Sequence, residues 1–327
     1  MTAESPGWRP FQFTRDLAMV GKDGRSLSRA VASGEAVKVR RGVFVGGGGW
    51  ASVNDRDHYL LRMRAVAATR ASLPIFSHYS AAVIWGLPII GQWPQAVHLL
   101  AAGRGGLHSK NGVTIHHDRL VDADIVEIDG MLVTSLARTL VDLARSTSFL
   151  SAVASLDAGT KPELELLNRT LRPGAEREVL LERVMSLGAS RGARSARLAI
   201  EFSDNRSASP GESLSRGQIY LCGFPAPELQ VHFVSPEGAE DIVDFRWLQK
   251  QGVRTLRLIG EFDGEVKYTR TEFLKGRTAA EVVVAEKVRE DRLRANTNHS
   301  FVRWVWGTAL RKEELRAVLL RAGLRPR

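Results

Sequence analysis

Three runs in the last third of the chain, LQVHFVS, DIVDFRW and VRTLRLIGEFDG, alternate apolar and polar residues with the two-residue period of a strand, and the last two carry acids among apolar neighbours. Strands that must be partly buried around carboxylates constrain both the sheet they form and the chemistry at its end. In DIVDFRW the alternation puts Ile242, Asp244 and Arg246 on one face and Val243, Phe245 and Trp247 on the other. In VRTLRLIGEFDG, Arg257, Ile259, Glu261 and Asp263 share a face opposite Leu256, Leu258, Gly260 and Phe262. Carboxylates crowded at a partly buried strand end repel, and burying one unpaired costs several kcal/mol or drives its pKa upward. A hard divalent cation relieves both problems, because Mg2+ takes oxygen ligands, keeps waters and needs one or two carboxylates plus a substrate phosphate. A nearby lysine then orients the attacking water, and Lys267 is close enough in sequence to serve. The other reading is a charged hairpin in which Asp263 and Gly264 turn the chain and Glu261, Glu265 and Lys267 are solvated. Periodicity leaves both readings open.

The order from Ser209 onward is helix, strand, strand, strand, helix, strand, helix. SPGESLSRGQIYLCG starts the first helix with Ser209 at the N-cap, Pro210 next and Glu212 at capping-box spacing, so Glu212 either completes the cap or leans into a metal site. The helical pattern from Thr278 to Ala295 is dense in charge, with Glu290 and Arg294 spaced to pair, and Arg289 and Arg294 as alternative phosphate contacts. FVRWVW reads as a core strand.

At the front of the chain, Thr14 caps a short helix, Gly21 to Gly24 turn it, and Ser26 caps a second helix that stops at Gly34. In AVKVRRGVFV, Val37 and Val39 alternate with Lys38 and Arg40, and Arg41 and Gly42 turn the strand back. This is the order of a winged helix-turn-helix, with Arg25, Ser28 and Arg29 on the helix that reads DNA and Lys38, Arg40 and Arg41 on a cationic ribbon suited to phosphate. A solvated hairpin is the alternative. The GGGG run at 46–49 lacks a following GKS or GKT and is read as a wing tip or joint. DRDHYLLRMRAVAATRA then turns Leu60, Leu61, Met63, Val66 and Ala67 toward a core. Residues 75–172 read as an α+β unit, in which His78, His98, His116 and His117 fall on separate elements and are taken as structural.

The balance of 46 Lys and Arg against 36 Asp and Glu gives a net charge of +10, which suits a polyanionic partner, nucleic acid or a membrane surface. No leader pattern and no membrane-spanning apolar run is visible, so the chain is expected to be soluble and cytoplasmic. A single cysteine, Cys222, excludes an internal disulfide and a multi-thiolate zinc site.

Glu212 on a helix, Asp244 on a strand, Glu261 on the next and a lysine beyond resemble the PD-(D/E)xK nuclease superfamily, nearest its very-short-patch-repair branch. The phrases PGES, VDFRW, GEFDGEVKY, AEKVREDRLR and FVRWVW carry that likeness across residues 209 to 306. LSRAVASGEAVKVRRGVFV, SHYSAAVIWGLP and LVTSLARTLVDLAR are similar to actinobacterial proteins that begin with an AbiEi-type antitoxin winged helix. The resemblance implies an α+β multidomain chain: a winged helix-turn-helix at 1–53, a central α+β domain at 54–172, a helical linker at 173–208 and, at 209–327, a restriction-endonuclease-like α/β domain with a mixed central sheet. It implies cleavage of DNA with Mg2+, or Mn2+ in its place, held by Asp244 and Glu261, with Asp263 as a further ligand, Glu212 as an auxiliary acid and Lys267 orienting water. The superfamily's lysine lies two residues after the second acid, where this chain has Asp263; Lys267 is displaced, and Lys287 is an alternative ammonium. A non-catalytic regulator or antitoxin with a protein toxin as partner is the competing reading, and RNA in place of DNA stays open.

Overall fold

The computed structural model describes residues 11–19, 25–103, 109–119, 121–236, 238, 240–264, 281, 288–294 and 297–327. The chain is mixed α+β and divides into two units, Met1–Leu143 with Leu164–Arg172, and Ala144–Glu163 with Pro173–Arg327. This division differs from the four segments expected: the first two merge, and residues 144–163 join the C-terminal part.

In unit 1, β1 (Gln12–Phe13) leads into α1 (Thr14–Met19), followed by α2 (Arg25–Ala32), β2 (Ala36–Arg40) and β3 (Val43–Gly46). The strands form a small antiparallel sheet in the order β1-β3-β2. Gly42, at φ +78°, makes the β2–β3 turn in the left-handed region open to glycine. The GGGG run is not a wing tip: Gly46 ends β3 and Gly47 starts α3 (Gly47–Ala51). Gly47 packs so closely on the turn before β2 that a Cβ there would lie 1.9 Å from the Gly34 carbonyl oxygen.

The Asn54 side chain caps α4 (Asp55–Ala68) by accepting from the Asp57 amide. Tyr59, Leu60, Leu61, Met63, Ala65 and Val66 are buried along this helix. A five-stranded sheet follows with strand order β6-β5-β4-β8-β7, made of β4 (Ile75–Phe76), β5 (Val97–Ala102), β6 (Val113–Asp118), β7 (Ile125–Ile128) and β8 (Met131–Thr134). The β4–β8 and β5–β6 pairs are parallel, and β4–β5 and β7–β8 antiparallel. Between β4 and β5 comes α5 (His78–Ile84), buried along nearly its whole length, and after β8 comes α6 (Leu136–Ser146); β9 (Leu164–Glu165) and β10 (Leu171–Arg172) form a short antiparallel pair in the same unit.

Unit 2 contains α7 (Phe149–Gly159), α8 (Arg177–Ser186), α9 (Ala193–Phe202) and α10 (Pro210–Leu221), then β11 (Glu228–Val234), β12 (Glu240–Gln251), β13 (Arg254–Asp263), β14 (Ser300–Val305), α11 (Trp306–Leu310) and α12 (Lys312–Arg321). Its sheet runs β11-β12-β13-β14, antiparallel except for the parallel β13–β14 pair. Gly211 and Gly260 let this layer close: a Cβ on Gly211 would sit 2.0 Å from the Phe262 ring, and one on Gly260 would meet Trp304 at 2.7 Å and Trp247 at 2.8 Å. Asp157 on α7 and Arg216 on α10, both buried, join those helices through contacts of 2.7 and 2.8 Å. Burial raises the Asp157 carboxyl, and the Arg216 guanidinium opposes that rise. Among the described residues, no helix is long and apolar enough to cross a membrane.

Candidate functional site

The sheet of unit 2 forks. The β12–β13 ladder runs from Gln251↔Arg254 to Phe245↔Gly260 and stops there, although both strands continue. Beyond that point β12 stays paired with β11 as far as Val234↔Glu240, while β13 follows β14 as far as Asp263↔Val305. Asp244 lies at the fork. Its Oδ2 accepts from the Phe262 amide at 2.8 Å, so a side chain takes the place of the next backbone partner. One further step of register would set Asp244 opposite Glu261.

A local reversal explains the opening. Val243 packs with Ile259 and Leu293, whereas Phe245 stacks on Trp304 and Trp247. The expectation that Val243, Phe245 and Trp247 share one face therefore fails, because the alternation breaks at Asp244. On β11 the matching position, bracketed by Leu229↔Phe245 and Val231↔Val243, is Gln230, which has φ +50°. A non-glycine residue in that region needs support from its surroundings. Here the Gln230 side chain donates through Nε2 to Glu212 Oε2 at 2.9 Å.

Glu212 is buried and fully engaged. Oε2 also accepts from the Ala208 amide at 2.7 Å, and Oε1 accepts from Ser209 Oγ at 2.8 Å. These bonds match the capping reading and hold Glu212 at the start of α10. Glu261 is buried too, with Arg289 Nη2 at 2.9 Å and Arg303 Nη2 at 3.3 Å. Although Arg289 lies close to Glu261 Oε1, that buried oxygen accepts no well-directed hydrogen bond. An under-coordinated buried carboxylate oxygen beside Asp244 fits the donor chemistry of a hard cation.

Arg289, from helical residues 288–294, is wedged into the fork: it donates to the Ile242 carbonyl and lies 3.6 Å from Asp241. These internal bonds engage Arg289, one of the two alternative phosphate contacts of this helix. Arg294 pairs with Glu290 as its spacing predicts. Asp241 was not singled out from the sequence. It is buried and holds Arg292 through two bonds of 2.6 and 2.9 Å. Its only sequence signal was an acid directly before an apolar strand.

Asp263 is half-buried and still pairs with Val305, so it is a ladder residue rather than the corner of a charged hairpin. Lys267 and Lys287 lie outside the described residues. Among the described residues, no three of Glu212, Asp244, Glu261 and Asp263 bring ligand oxygens within 4.8 Å of one another; the one group of three or more His, Cys, Asp or Glu side chains that does so is His78, His98 and His116. The histidines read as separate therefore converge. Cys222 is buried, and burial pushes its thiol up, away from reactivity.

In unit 1, Arg25, Ser28 and Arg29 of α2, together with Lys38 and Arg41, are exposed. A register shift between Lys38 and Arg40 breaks the strict alternation of β2, so Arg40 does not join Lys38 on a solvated face. The Arg40 guanidinium is half-buried, its Nε and Nη1 have no hydrogen-bond partner, and its pKa is lowered by burial and by Arg70. A desolvated cation facing a second cation calls for an anion.

No family model matches this chain. Two uncharacterized proteins of Mycobacterium tuberculosis, MT2308 of strain CDC 1551 / Oshkosh and Rv2248 of strain ATCC 25618 / H37Rv, are each 32% identical to it over 152 residues. That stretch is 46% of this chain, which spans about half (51%) of the length of the curated relatives it matches. Among solved structures, the crystal structure of the RV2827C protein from Mycobacterium tuberculosis is similar at a TM-score of 0.38 and 17% identity, over 70% of this chain and 85% of that one. A likeness at that level carries no argument.

Proposed function

We propose that this chain is a DNA-binding protein whose unit 2 hydrolyses phosphodiester bonds with Mg2+ or Mn2+, in the manner of PD-(D/E)xK nucleases, and whose unit 1 holds DNA through a winged helix-turn-helix. The observation that carries the reading is the opening of the β12–β13 ladder at Asp244, beside the buried Glu261. Asp244 and Glu261 would hold the cation, which when bound lowers the pKa of a water and stabilises charge on the phosphate. Asp244 is oriented for that task by the Phe262 amide, and Glu212 steadies the fork through Gln230 rather than acting on the substrate. Asp263, at the end of β13, stands next in line as a ligand. The water-orienting role stays with Lys267.

On unit 1, the exposed Arg25, Arg29, Lys38 and Arg41 supply phosphate contacts, and the unsatisfied Arg40 gains the anion it lacks. The net charge of +10 supports the same partner.

One observation favours a second reading. Arg289 and Arg303 already neutralise Glu261, which suits a nuclease-like scaffold kept for DNA or toxin binding without catalysis. Supercoiled plasmid incubated with Mg2+ and either the wild type or the Asp244→Asn/Glu261→Gln variant separates the two. The first reading expects nicking by the wild type alone. Equal cleavage by both proteins, or by neither, rejects it. Salt-sensitive DNA binding that needs no Mg2+ would then support the regulator.

A further inference from the structure

The histidine cluster of unit 1 has no role in that mechanism. It draws on three elements far apart in sequence: His78 opens α5, His98 is on β5 and His116 is on β6. Parallel pairing of β5 with β6, His98 opposite Thr114 and Leu100 opposite His116, sets the two strand histidines near each other on one face. His98 Nδ1 and His116 Nε2 are 2.9 Å apart and share a hydrogen. The His78 ring stacks on His116 with centroids 3.6 Å apart and planes 13° from parallel.

His78 is held there against backbone preference. Its φ is +49°, in the left-handed region, and such strain persists where the surroundings over-determine it. The Ser77 amide donates to the His98 carbonyl at 3.1 Å, and Ser80 Oγ accepts from the His98 amide at 2.9 Å while bonding the buried Tyr59 hydroxyl. These bonds lock the first turn of α5 onto β5. His78 Nδ1 shares a hydrogen bond with Ser77 Oγ at 3.1 Å, and Asp142 Oδ2, held by Arg138 Nε at 2.8 Å, stands farther off at 4.0 Å. A hydrogen bond to the second ring nitrogen commonly orients a ligating histidine.

The electrostatics agree with the geometry. Burial brings both His98 and His116 down to about 4, with His116 acting further on His98 and Arg138 on His116, so both rings are neutral at pH 7 and protons do not compete for their nitrogens. Neutral imidazoles suit zinc, copper, nickel or iron and not the hard Mg2+. Zn–N bonds of about 2.0–2.1 Å in a tetrahedron put ligand nitrogens about 3.4 Å apart. The three histidines already bring one nitrogen each within 4.8 Å of the others.

We propose that His78, His98 and His116 bind one transition-metal ion of the zinc class. Binding replaces the His98–His116 hydrogen bond and opens the His78–His116 stack by ring rotation. Three protein ligands leave a fourth position for water or an incoming group. The site shares no residue with the fork and takes a different class of metal.

The test uses the full chain, stripped with chelator, loaded with Zn2+, desalted and assayed for metal, with Co2+ as a spectroscopic substitute. The wild type is expected to retain one zinc per chain and to melt at a higher temperature with it. A control, His117→Ala, alters a neighbouring ring that bonds the Gly103 carbonyl and should retain zinc equally. His98→Asn and His116→Gln should each bind at least about 100-fold more weakly, at or beyond the roughly 10- to 100-fold cost of losing an outer partner. A wild type that holds no zinc, or a His116→Gln variant that holds as much, overturns the proposal; the rings are then a packed, hydrogen-bonded stack. Because the wild type alone can decide, a variant that fails to fold does not protect the idea. Zinc content unchanged in Asp244→Asn/Glu261→Gln separates this site from the nuclease reading.

Discussion

The fork of unit 2 and the histidine cluster of unit 1 bury polar side chains by opposite means. At the fork acids are matched to guanidinium groups: Asp241 to Arg292, and Glu261 to Arg289 and Arg303. In the cluster His98 and His116 are neutral at pH 7, and these two imidazoles satisfy each other with one hydrogen bond. The contrast separates two chemistries. Carboxylate oxygens attract a hard cation but must release arginines to take it, whereas neutral imidazoles offer lone pairs to a softer ion and need only reorient.

The contrast is sharpest in the cost of deleting a partner. Asp241→Ala strips Arg292 of its buried carboxylate and should destabilise the protein by about 3 kcal/mol, read as a lower urea midpoint. In metal-free protein His98→Ala removes a neutral bond and some packing and should cost less, about 2 kcal/mol by the same assay. If the second loss equals or exceeds the first, the distinction between the carboxylate–guanidinium pair and the imidazole pair breaks down.

Acid should act on the cluster. His98 and His116 titrate near 4 when folded and near 6.5 when unfolded, so the unfolded chain binds more protons between those values. Stability is then full above pH 6.5 and falls as pH drops toward 4. The metal-free protein should melt roughly 4 °C lower at pH 5 than at pH 7, and saturating Zn2+ at pH 7 should raise its melting temperature. The smallest effect belongs to Arg289→Ala, which removes the cation wedged beside Glu261. It should tighten Mn2+ binding by roughly threefold to tenfold in a calorimetric titration. Weaker binding would mean that Arg289 shapes the site instead of competing for it.

How legible these regions were in the sequence follows from how locally each is built. Asp244, Glu261 and Asp263 lie on two neighbouring strands joined by a short turn, so the period of two is enough to group them. The cap at Glu212 was legible for the same reason, since Ser209 and Glu212 sit within one helical turn. Features that break a period were not legible. The reversal at Asp244 and Gln230 depends on a left-handed residue in β11, and the half-buried Arg40 on a bulge in β2. His78, His98 and His116 meet through the pairing of β5 with β6 and a strained first residue of α5, and no spacing rule reports a contact of that kind.

The central claim is that the fork holds a divalent cation through Asp244 and Glu261. Its most direct test is Mn2+ binding followed by electron paramagnetic resonance, with the histidine site first filled with Zn2+. The wild type should take up one Mn2+ per chain, and the Asp244→Asn/Glu261→Gln variant none at the same concentration while keeping its zinc. Equal Mn2+ uptake by the two proteins, or none by the wild type, would contradict the account.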